Sequence, residues 1–407
     1  MVTYEETLNY LYSRLPVFQH IGPAAYKADL NNTIAICKAL GNPENRFKSV
    51  HIAGTNGKGS VSSMLAAIFT AHGYKTGLYT SPHLKDFRER IRINGNCIPG
   101  ADVVDFTERH KDLIESLKPS FFEITVGMAF DYFAREHVDI AIIETGLGGR
   151  LDSTNVITPE LSVVTNIGWD HMDLLGNSLT QIASEKAGII KPGIPAVLGE
   201  WNAQTLEVFQ HRAHACNTSL RLASSAPAEW ETACELKGNY QKQNLATLHC
   251  AIQALRENGY EFEEPLITNA LSRIKELTGL RGRWEILGTE PQIIADTAHN
   301  ADGLQLVIAQ LLQIPHRQLH VVLGVVKDKD LSRILPLFPE NARYYFAKPS
   351  VLRGMEATEL QEKAAAYGMN GNAFPTVHEA LLEARAAAEP DDLIYIGGST
   401  FTVADAL

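Results

Sequence analysis

The sequence predicts an α/β protein with two domains, each built on a doubly wound and mostly parallel sheet. A strand, a glycine-rich loop and a helix follow one another over residues 50–72. Two near-continuous apolar runs, at residues 138–143 and 161–167, are typical of central parallel strands. From residue 292 onwards strands and helices alternate again, which indicates a second, smaller α/β domain.

The length of 407 residues is too great for one hydrophobic core, so two domains are expected. We place them at residues 1–287 and 288–407. Helices predicted at 3–17 and 31–40 precede the first strand and are expected to cover its sheet. Residues 200–236 mix Ala, Ser and Glu and give no clear prediction.

Composition argues against several classes of protein. The five cysteines are scattered and odd in number, which is typical of reduced thiols in the cytoplasm. The net charge is −11 and no run of Lys or Arg occurs, so nucleic-acid binding has little electrostatic support. No apolar stretch is long enough to span a bilayer, and the acidic N-terminus lacks the layout of a signal peptide. We expect a cytoplasmic monomer without nucleic-acid or membrane partners.

The loop after the first strand predicts a phosphate site. Strand–loop–helix geometry gathers backbone N–H groups, glycines let the main chain approach closely, and a lysine supplies charge for the outer phosphates. The loop is one residue shorter than the strict eight-residue phosphate-loop pattern, and a glycine stands where that pattern has Ser or Thr. The alternative is a plain glycine-rich turn. The predicted nucleotide-binding residues are Gly54, Thr55, Asn56, Gly57, Lys58, Gly59 and Ser60.

Acidic and imidazole side chains follow the next two buried strands. Glu144 ends the first and His171 lies just past the second. Because ligands of open α/β sheets bind at the carboxyl ends of strands, Glu144 is a candidate Mg²⁺ ligand. The alternatives are a capping or ion-paired Glu144 and a structural His171. Lys186 by itself predicts a surface lysine paired with Glu185.

Three further regions carry charged or amide side chains. The segment 83–95 is either a solvated hairpin loop or a mobile segment that meets an anionic substrate. Asn244 either contacts a nucleotide or caps a helix. Arg281 suits phosphate or carboxylate. Asp296 and His299 follow the first strand of the second domain, where a ligand is expected.

Together these stretches resemble the folate-type members of the Mur ligase superfamily, folylpolyglutamate synthase and its bifunctional form with dihydrofolate synthase. The resemblance covers most of the chain in the family's order. The residues that carry it are 51–60, 80–84, 121–125, 144–152, 166–171, 184–189 and 296–300.

The resemblance implies a role for each matching residue. The loop amides and Lys58 would hold ATP phosphates, and Asn244, Arg281, Asp296 and His299 would contact ATP elsewhere. Ser81 and Glu144 would bind one Mg²⁺, and Glu144 with His171 a second. Lys186 matches a lysine that this family carbamylates, so Lys58, Lys186, His171 and Glu144 would be the catalytic residues.

The resemblance also implies the wall of a pterin-binding pocket. Phe122, Asp152 and the segment after Ser81, with His83 and Arg88, match it. One motif departs from the family pattern, because Thr297 replaces a glycine and Ala301 a proline. Asp296 and His299 are kept, so the nucleotide role stands, and the local turn is expected to differ from that of the family.

The reaction implied is ATP-dependent ligation of L-glutamate to the carboxylate of dihydropteroate, to the γ-carboxylate of a folate, or to both, through an acyl phosphate. Such a ligase would serve folate biosynthesis and one-carbon metabolism. One alternative is a peptidoglycan-type Mur ligase, which carries an extra N-terminal substrate domain. The other is a phosphate-loop nucleotide switch, against which stands the lack of a guanine-reading Asn-Lys-x-Asp motif.

Overall fold

A computed structural model describes residues 2–17, residue 22 and residues 29–407. The chain forms two compact units. The first comprises Met1–Glu235 and Gln241–Leu280, and the second comprises Leu236–Tyr240 and Arg281–Leu407.

The described strands of the first unit form an eight-stranded sheet in the order β4-β3-β2-β5-β1-β6-β7-β8. Neighbouring strands are parallel except at β3 and β4, which pair antiparallel at one edge. The predicted doubly wound, mostly parallel sheet is confirmed. The strands are β1 (Lys48–Ala53), β2 (Thr76–Tyr79), β3 (Ile91–Ile93), β4 (Asn96–Cys97), β5 (Ile140–Glu144), β6 (Leu161–Val164), β7 (Ala196–Leu198) and β8 (Leu220–Leu222).

Helices cover this sheet, and several begin at side chains that cap their free N–H groups. Thr3 and Glu6 form a capping box at α1, and Ser120 and Glu123 form another at α6. The helices described here are α1 (Tyr4–Arg14), α2 (Asn31–Ala39), α3 (Lys58–Ala71), α4 (Gly100–Arg109), α5 (Lys111–Leu117), α6 (Phe121–Arg135), α7 (Met172–Leu175), α8 (Leu179–Ala187), α9 (Ala203–Ala215), α10 (Ala228–Ala233), α11 (Gln241–Glu257), α12 (Glu264–Leu271) and α13 (Ile274–Thr278).

The central strands of the first unit bring chemically active residues to one edge. β1, β5 and β6 are buried almost throughout, as their β-branched sequences predict. Ile52 pairs with Glu144, and Tyr79 with Ile143. Because these strands are parallel, their carboxyl ends meet at the same edge. The glycine-rich loop, Ser81, Glu144 and the residues after β6 all follow from this edge.

The second unit has a six-stranded sheet in the order β13-β12-β11-β14-β10-β9 among its described residues. Its strands are parallel except β9, so the predicted smaller α/β domain is confirmed. The predicted division at residues 287 and 288 falls inside β9. The elements are β9 (Glu285–Thr289), β10 (Gln292–Ala295), α14 (Ala301–Leu311), β11 (Leu319–Leu323), α15 (Leu331–Ile334), β12 (Arg343–Ala347), α16 (Ala357–Ala365), β13 (Gly371–Phe374), α17 (Val377–Ala387), β14 (Leu393–Gly397) and α18 (Thr400–Ala406).

Two structural findings concern the cysteines and the apolar character of the helices. All five cysteines lie in the described ranges and none forms a disulfide bond. Within those same ranges, no helix combines the length and the apolar character needed to cross a membrane.

Candidate active site

The loop between β1 and α3 needs glycine at two positions. Gly54 has φ of 149° and Gly57 has φ of 83°, a region that favours glycine. A Cβ atom at Gly54 would lie 1.8 Å from Oγ1 of Thr165, and one at Gly57 would lie 2.2 Å from Oδ1 of Asn244. The loop is therefore pressed between the residue after β6 and a residue of α11. A plain surface turn would not need such close packing.

Residues after β6 hold the loop in its shape. The amide of Asn56 donates to Oδ1 of Asn166 at 2.8 Å, and the Thr165 hydroxyl donates to the Asn56 carbonyl at 2.5 Å. The Gly168 amide donates to the Thr55 hydroxyl at 3.0 Å. Thr55 and Asn56 thus have structural contacts besides their predicted nucleotide role. The position of Thr165 and Asn166 directly after a strand next to β1 is the sequence signal for this support.

Lys58 lies over the loop at the start of α3. Its Nζ donates to the carbonyl oxygens of Gly54 at 3.1 Å and Thr55 at 3.2 Å. A lysine in this place can exchange two carbonyl contacts for the oxygens of a phosphate, while the N-terminus of α3 favours negative charge.

Helix α11 supplies a second support that the sequence did not predict. Nε2 of Gln241 donates to the buried Ser60 hydroxyl at 3.2 Å, and Nδ2 of Asn244 donates to Oε1 of Gln241 at 2.8 Å. Asn244 also packs against Gly57. The structure therefore brings Asn244 to the phosphate loop. The Ser60 hydroxyl is in contact with Gln241 of α11.

Lys186 reaches the same loop from α8. It is 4 % exposed, and its Nζ donates to the Gly54 carbonyl at 2.9 Å. Burial, together with the nearby charge of Lys58, lowers the pKa of Lys186 to about 7. Glu185, its expected ion-pair partner, instead binds Arg150 at 2.8 Å. The prediction of a surface lysine paired with Glu185 is therefore wrong. Near pH 7 a substantial part of this buried amine is therefore neutral, and a neutral amine can act as a nucleophile.

The predicted metal ligands lie at the same edge of the sheet. Glu144 is the last residue of β5 and is 4 % exposed, while Ser81 follows the neighbouring strand β2. His171 has φ of 50° and directly precedes α7, with its Nε2 3.8 Å from Oδ2 of Asp170. Among the described residues, no three His, Cys, Asp or Glu side chains gather as a metal site.

This arrangement fits the chemistry of Mg²⁺. Mg²⁺ commonly takes one or two carboxylates and completes its octahedron with phosphate oxygens and water, so an all-protein cage is not needed. The oxygen and nitrogen donors of Ser81, Glu144 and His171 suit that role. Their assignment to two separate metal sites stays a prediction.

Phe122 and His83 lie where the acceptor pocket is predicted. The Phe122 ring covers Gly146, where a Cβ atom would lie 2.4 Å from Cζ of the ring. Nδ1 of His83 accepts a hydrogen bond from Nε of Arg90 at 2.8 Å. Burial lowers the pKa of His83 to about 3, so the imidazole is neutral and carries its proton on Nε2.

Two other predicted substrate contacts are occupied by protein groups. Arg88 binds Asp86 through Nη2 at 2.8 Å and Nε at 3.0 Å, and its guanidinium lies over the Tyr4 ring. Asp152 is buried and accepts from the amides of Leu147 at 2.8 Å and Thr154 at 3.0 Å. Burial raises the pKa of Asp152. Both residues order their own loops, and their substrate role stays a prediction.

The second unit presents Asp296 at the carboxyl end of β10. Its buried carboxylate accepts from the Tyr240 hydroxyl at 2.6 Å and from the amides of Trp284 and Ala298, each at 2.8 Å. Burial raises the pKa of Asp296. The sequence did not indicate Tyr240 or Trp284, because neither belongs to the motif around Asp296.

The unusual Thr297 has a defined place in this turn. Its hydroxyl donates to the Gly282 carbonyl at 3.1 Å, and its own carbonyl accepts from Nδ1 of His299 at 2.9 Å. Nε of Arg281 binds Glu285. The turn that replaces the family's glycine is thus held by hydrogen bonds, and His299 is oriented by one of them.

Two family matches cover the chain. The Mur ligase middle domain matches residues 52–269, and the Mur ligase glutamate ligase domain matches residues 282–400. The dihydrofolate synthase/folylpolyglutamate synthase of Bacillus subtilis is 30% identical over 433 residues, covering 99% of this chain and 98% of the relative. The probable bifunctional folylpolyglutamate synthase/dihydropteroate synthase of Haloferax volcanii is 32% identical over 99% of this chain. The chain spans 50% of that longer protein.

Solved structures agree with these matches. Mycobacterium tuberculosis folylpolyglutamate synthase complexed with ADP has a TM-score of 0.87 and 28% identity, covering 99% of this chain and 97% of that one. A bifunctional folylpolyglutamate synthase/dihydrofolate synthase with Mn, AMPPNP and L-glutamate bound has a TM-score of 0.84 and 26% identity, covering 99% and 97%. The chain therefore belongs to the Mur ligase family, in the group of dihydrofolate synthase/folylpolyglutamate synthase.

Proposed function

We propose that this protein is an ATP-dependent ligase that joins L-glutamate to dihydropteroate, to the γ-carboxylate of a folate, or to both. The observation that carries the proposal is the contact of two lysines, Lys58 and Lys186, with one loop carbonyl, that of Gly54. One lysine is placed for phosphate, and the other is a buried amine of lowered pKa beside it. The relatives named for folate ligation and the structure with nucleotide, Mn and L-glutamate support the same reaction.

The first step activates a carboxylate. An oxygen of the acceptor carboxylate attacks the γ-phosphorus of ATP, the bond to the β,γ-bridging oxygen breaks, and an acyl phosphate and ADP result. Lys58 and the loop amides neutralise the charge of the two approaching anions. Two divalent cations, one held by Ser81 and Glu144 and a second by Glu144 and His171, would supply Lewis-acid stabilisation of the phosphate oxygens.

The second step forms the amide. The amine of L-glutamate attacks the acyl carbon, a tetrahedral centre forms, and phosphate leaves as the amine loses a proton. The neutral His83, with its proton on Nε2, can donate a hydrogen bond on the acceptor side. Phe122 packs over Gly146 and can exclude water from the acyl group.

Lys186 takes a supporting role as a carbamate. Its neutral amine can attack CO₂ and lose a proton, which replaces a buried cation with an anion. The pKa of about 7 makes the neutral form abundant at neutral pH. The carbamate would lie near the loop carbonyl of Gly54 and within electrostatic reach of Lys58.

The direct test is an acceptor panel. The purified protein is incubated with ATP, Mg²⁺ and L-glutamate, together with dihydropteroate, tetrahydrofolate or a UDP-muramoyl acceptor in separate reactions. We expect phosphate release and a product heavier by one glutamate residue with at least one pterin acceptor. Hydrolysis of ATP without any dependence on a pterin would contradict the proposal. We also propose that the enzyme acts as a cytoplasmic monomer without nucleic-acid or membrane partners. Its oligomeric state is tested by measuring its mass by light scattering during gel filtration.

A further inference from the structure

Arg90 is a buried cation that the proposed mechanism leaves unused. It ends a short 3-10 helix, Phe87–Arg90, immediately before β3, and it is 4 % exposed. Its Nε donates to His83, and its guanidinium lies over the Phe121 ring with 5.6 Å between the guanidinium carbon and the ring centroid. Within the described ranges, Arg90 forms no ion pair, and neither of its terminal nitrogens donates a hydrogen bond. Burying a cation in this state is costly unless something else satisfies it.

A second polar group beside Arg90 is also unsatisfied. The Tyr79 side chain is fully buried, and its hydroxyl has no hydrogen-bond partner among the described residues. Arg90 is the charged neighbour of this hydroxyl: each side chain alters the pKa of the other, and a small shift would let the guanidinium donate to the hydroxyl. Buried polar groups in folded proteins almost always have partners. The terminal nitrogens of Arg90 and the Tyr79 hydroxyl proton thus form one group of donors without an acceptor among the described residues, which points to a ligand with oxygen acceptors.

The surroundings place this pair on the acceptor side of the site. Tyr79 ends β2 and pairs with Ile143, the residue before Glu144. Its ring lies 6.1 Å from that of Phe122, and Glu144 also acts electrostatically on Arg90. One strand, β5, separates β2 from β1, so the pair lies roughly 10 Å across the sheet from the strand that carries the phosphate loop. An acceptor carboxylate would lie between the phosphate loop and the pair of Arg90 and Tyr79.

Arg88, the arginine predicted to meet substrate, is less suited to this role. Asp86 already takes the Nε and Nη2 side of the Arg88 guanidinium, at 3.0 and 2.8 Å. Arg90 has the same planar fork with its terminal nitrogens unused, and such a fork binds a carboxylate through two parallel hydrogen bonds.

We propose that Arg90, assisted by the Tyr79 hydroxyl, binds the carboxylate of the acceptor and holds it for phosphorylation. The inference rests on the proposed ligase function and assigns one contact within it. Arg90 should therefore strengthen acceptor binding only when the acceptor carries a carboxylate.

The test compares dihydropteroate with its carboxamide, which lacks the anionic group. Arg90→Gln should raise the KM for dihydropteroate roughly 10- to 100-fold, the effect of losing a charge-assisted pair of hydrogen bonds. The KM for ATP should change less than about threefold, and so should the inhibition constant of the carboxamide. Lys38→Gln removes an exposed charge from α2, outside the segment after Ser81, and should leave all three values unchanged.

Further variants keep the inference testable if Arg90→Gln does not fold. Arg90→Lys retains the charge without the planar fork, and it should still raise the KM for dihydropteroate. Tyr79→Phe removes only the hydroxyl and should raise that KM by a smaller factor. Equal losses for the carboxylate and the carboxamide would overturn the inference. So would a rise in the acceptor KM with Arg88→Gln and none with Arg90→Lys. If the wild-type enzyme uses no pterin acceptor, the proposed function itself fails, which is a distinct result.

Discussion

Nζ of Lys186 donates to the carbonyl of Gly54, which Nζ of Lys58 also contacts. Helix α8 and the start of α3 thus direct two amines at one peptide oxygen of the phosphate loop. Burial of Lys186, together with its repulsion by Lys58, lowers the pKa of Lys186 to about 7. This pair links the phosphate site to the proposed carbamate, and the first two predictions concern it.

Replacing Lys186 should abolish activity without unfolding the protein. Lys186→Ala removes the proposed carbamate, and we expect kcat to fall roughly 100-fold or more, as for loss of a preorganised charge. Added short carboxylates such as formate or acetate should restore part of the rate. Lys191→Ala is a matched control, since Lys191 is a half-buried lysine bound to the Asn155 carbonyl. Wild-type turnover by Lys186→Ala would refute the carbamate role.

Lys58 should be needed for turnover more than for folding. Lys58→Ala removes the cation nearest the predicted outer phosphates, so kcat should fall roughly 100- to 1,000-fold. Its thermal unfolding temperature should stay close to wild type, because the Gly54 carbonyl keeps its hydrogen bond from Lys186 and the other carbonyl belongs to the half-buried Thr55. Acceptor-dependent phosphate release measures the rate. Near-normal release would argue against a phosphate site in this loop.

Gly54 and Gly193 offer a matched pair for the loop geometry. Both have positive φ, but a Cβ atom at Gly193 meets no atom within 4 Å, whereas one at Gly54 meets Thr165. Gly193→Ala should cost about 1 kcal/mol of unfolding free energy and leave activity intact. Gly54→Ala should cost about 1–3 kcal/mol more from overpacking and should lower kcat/KM for ATP roughly 100-fold. Urea unfolding and steady-state kinetics measure both. Equal behaviour of the two variants would show that the Thr165 contact is unimportant.

His51 should make stability depend on pH. Its Nε2 lies 2.8 Å from the Thr154 hydroxyl, which itself donates to Asp152, so Nε2 carries the proton and the ring is neutral. Burial lowers the pKa of His51 from 6.5 to about 3. The folded state therefore binds fewer protons than the unfolded state between these values. Its contribution to stability is complete above pH 6.5 and is lost as the pH falls towards 3, at up to about 1.4 kcal/mol per pH unit.

The pH prediction is tested by urea unfolding at pH 7.5, 6.5 and 5.5. His51→Gln should reduce the loss of unfolding free energy between pH 6.5 and 5.5 relative to wild type. The control His211→Gln changes an exposed histidine and should leave that loss unchanged. An identical pH dependence in wild type and His51→Gln would contradict the assignment.

Much of the fold could be predicted because hydrophobic pattern and turn chemistry agree in the central strands. Examples are the buried apolar run that forms β5 and the strand–loop–helix segment that forms β1 and α3. Residues 200–236 gave no prediction, yet they form α9, β8 and α10. These elements lack a clear separation of apolar and polar faces, so tertiary packing determines their structure more than the local sequence pattern does. The strand β9 was missed because its apolar residues are few and its burial alternates irregularly.

The site could be predicted only in part. Their positions at strand ends indicated Glu144 and His171, since ligands of open α/β sheets generally bind at the carboxyl ends of the strands. The burial of Lys186 could not be read from its neighbours, because Glu185 offered a simple ion pair that the structure gives to Arg150. The partners of Asp296 come from Tyr240 and Trp284, and spacing alone does not reveal such contacts.

The central claim is that the acceptor carboxylate is phosphorylated on the way to the amide. Dihydropteroate labelled with ¹⁸O in its carboxylate tests this claim most directly, with the released phosphate examined by mass spectrometry. Attack of that carboxylate on ATP, followed by displacement by glutamate, predicts one ¹⁸O atom in each phosphate and one left in the amide. Unlabelled phosphate, released together with ligated product, would contradict the acyl-phosphate route through this site.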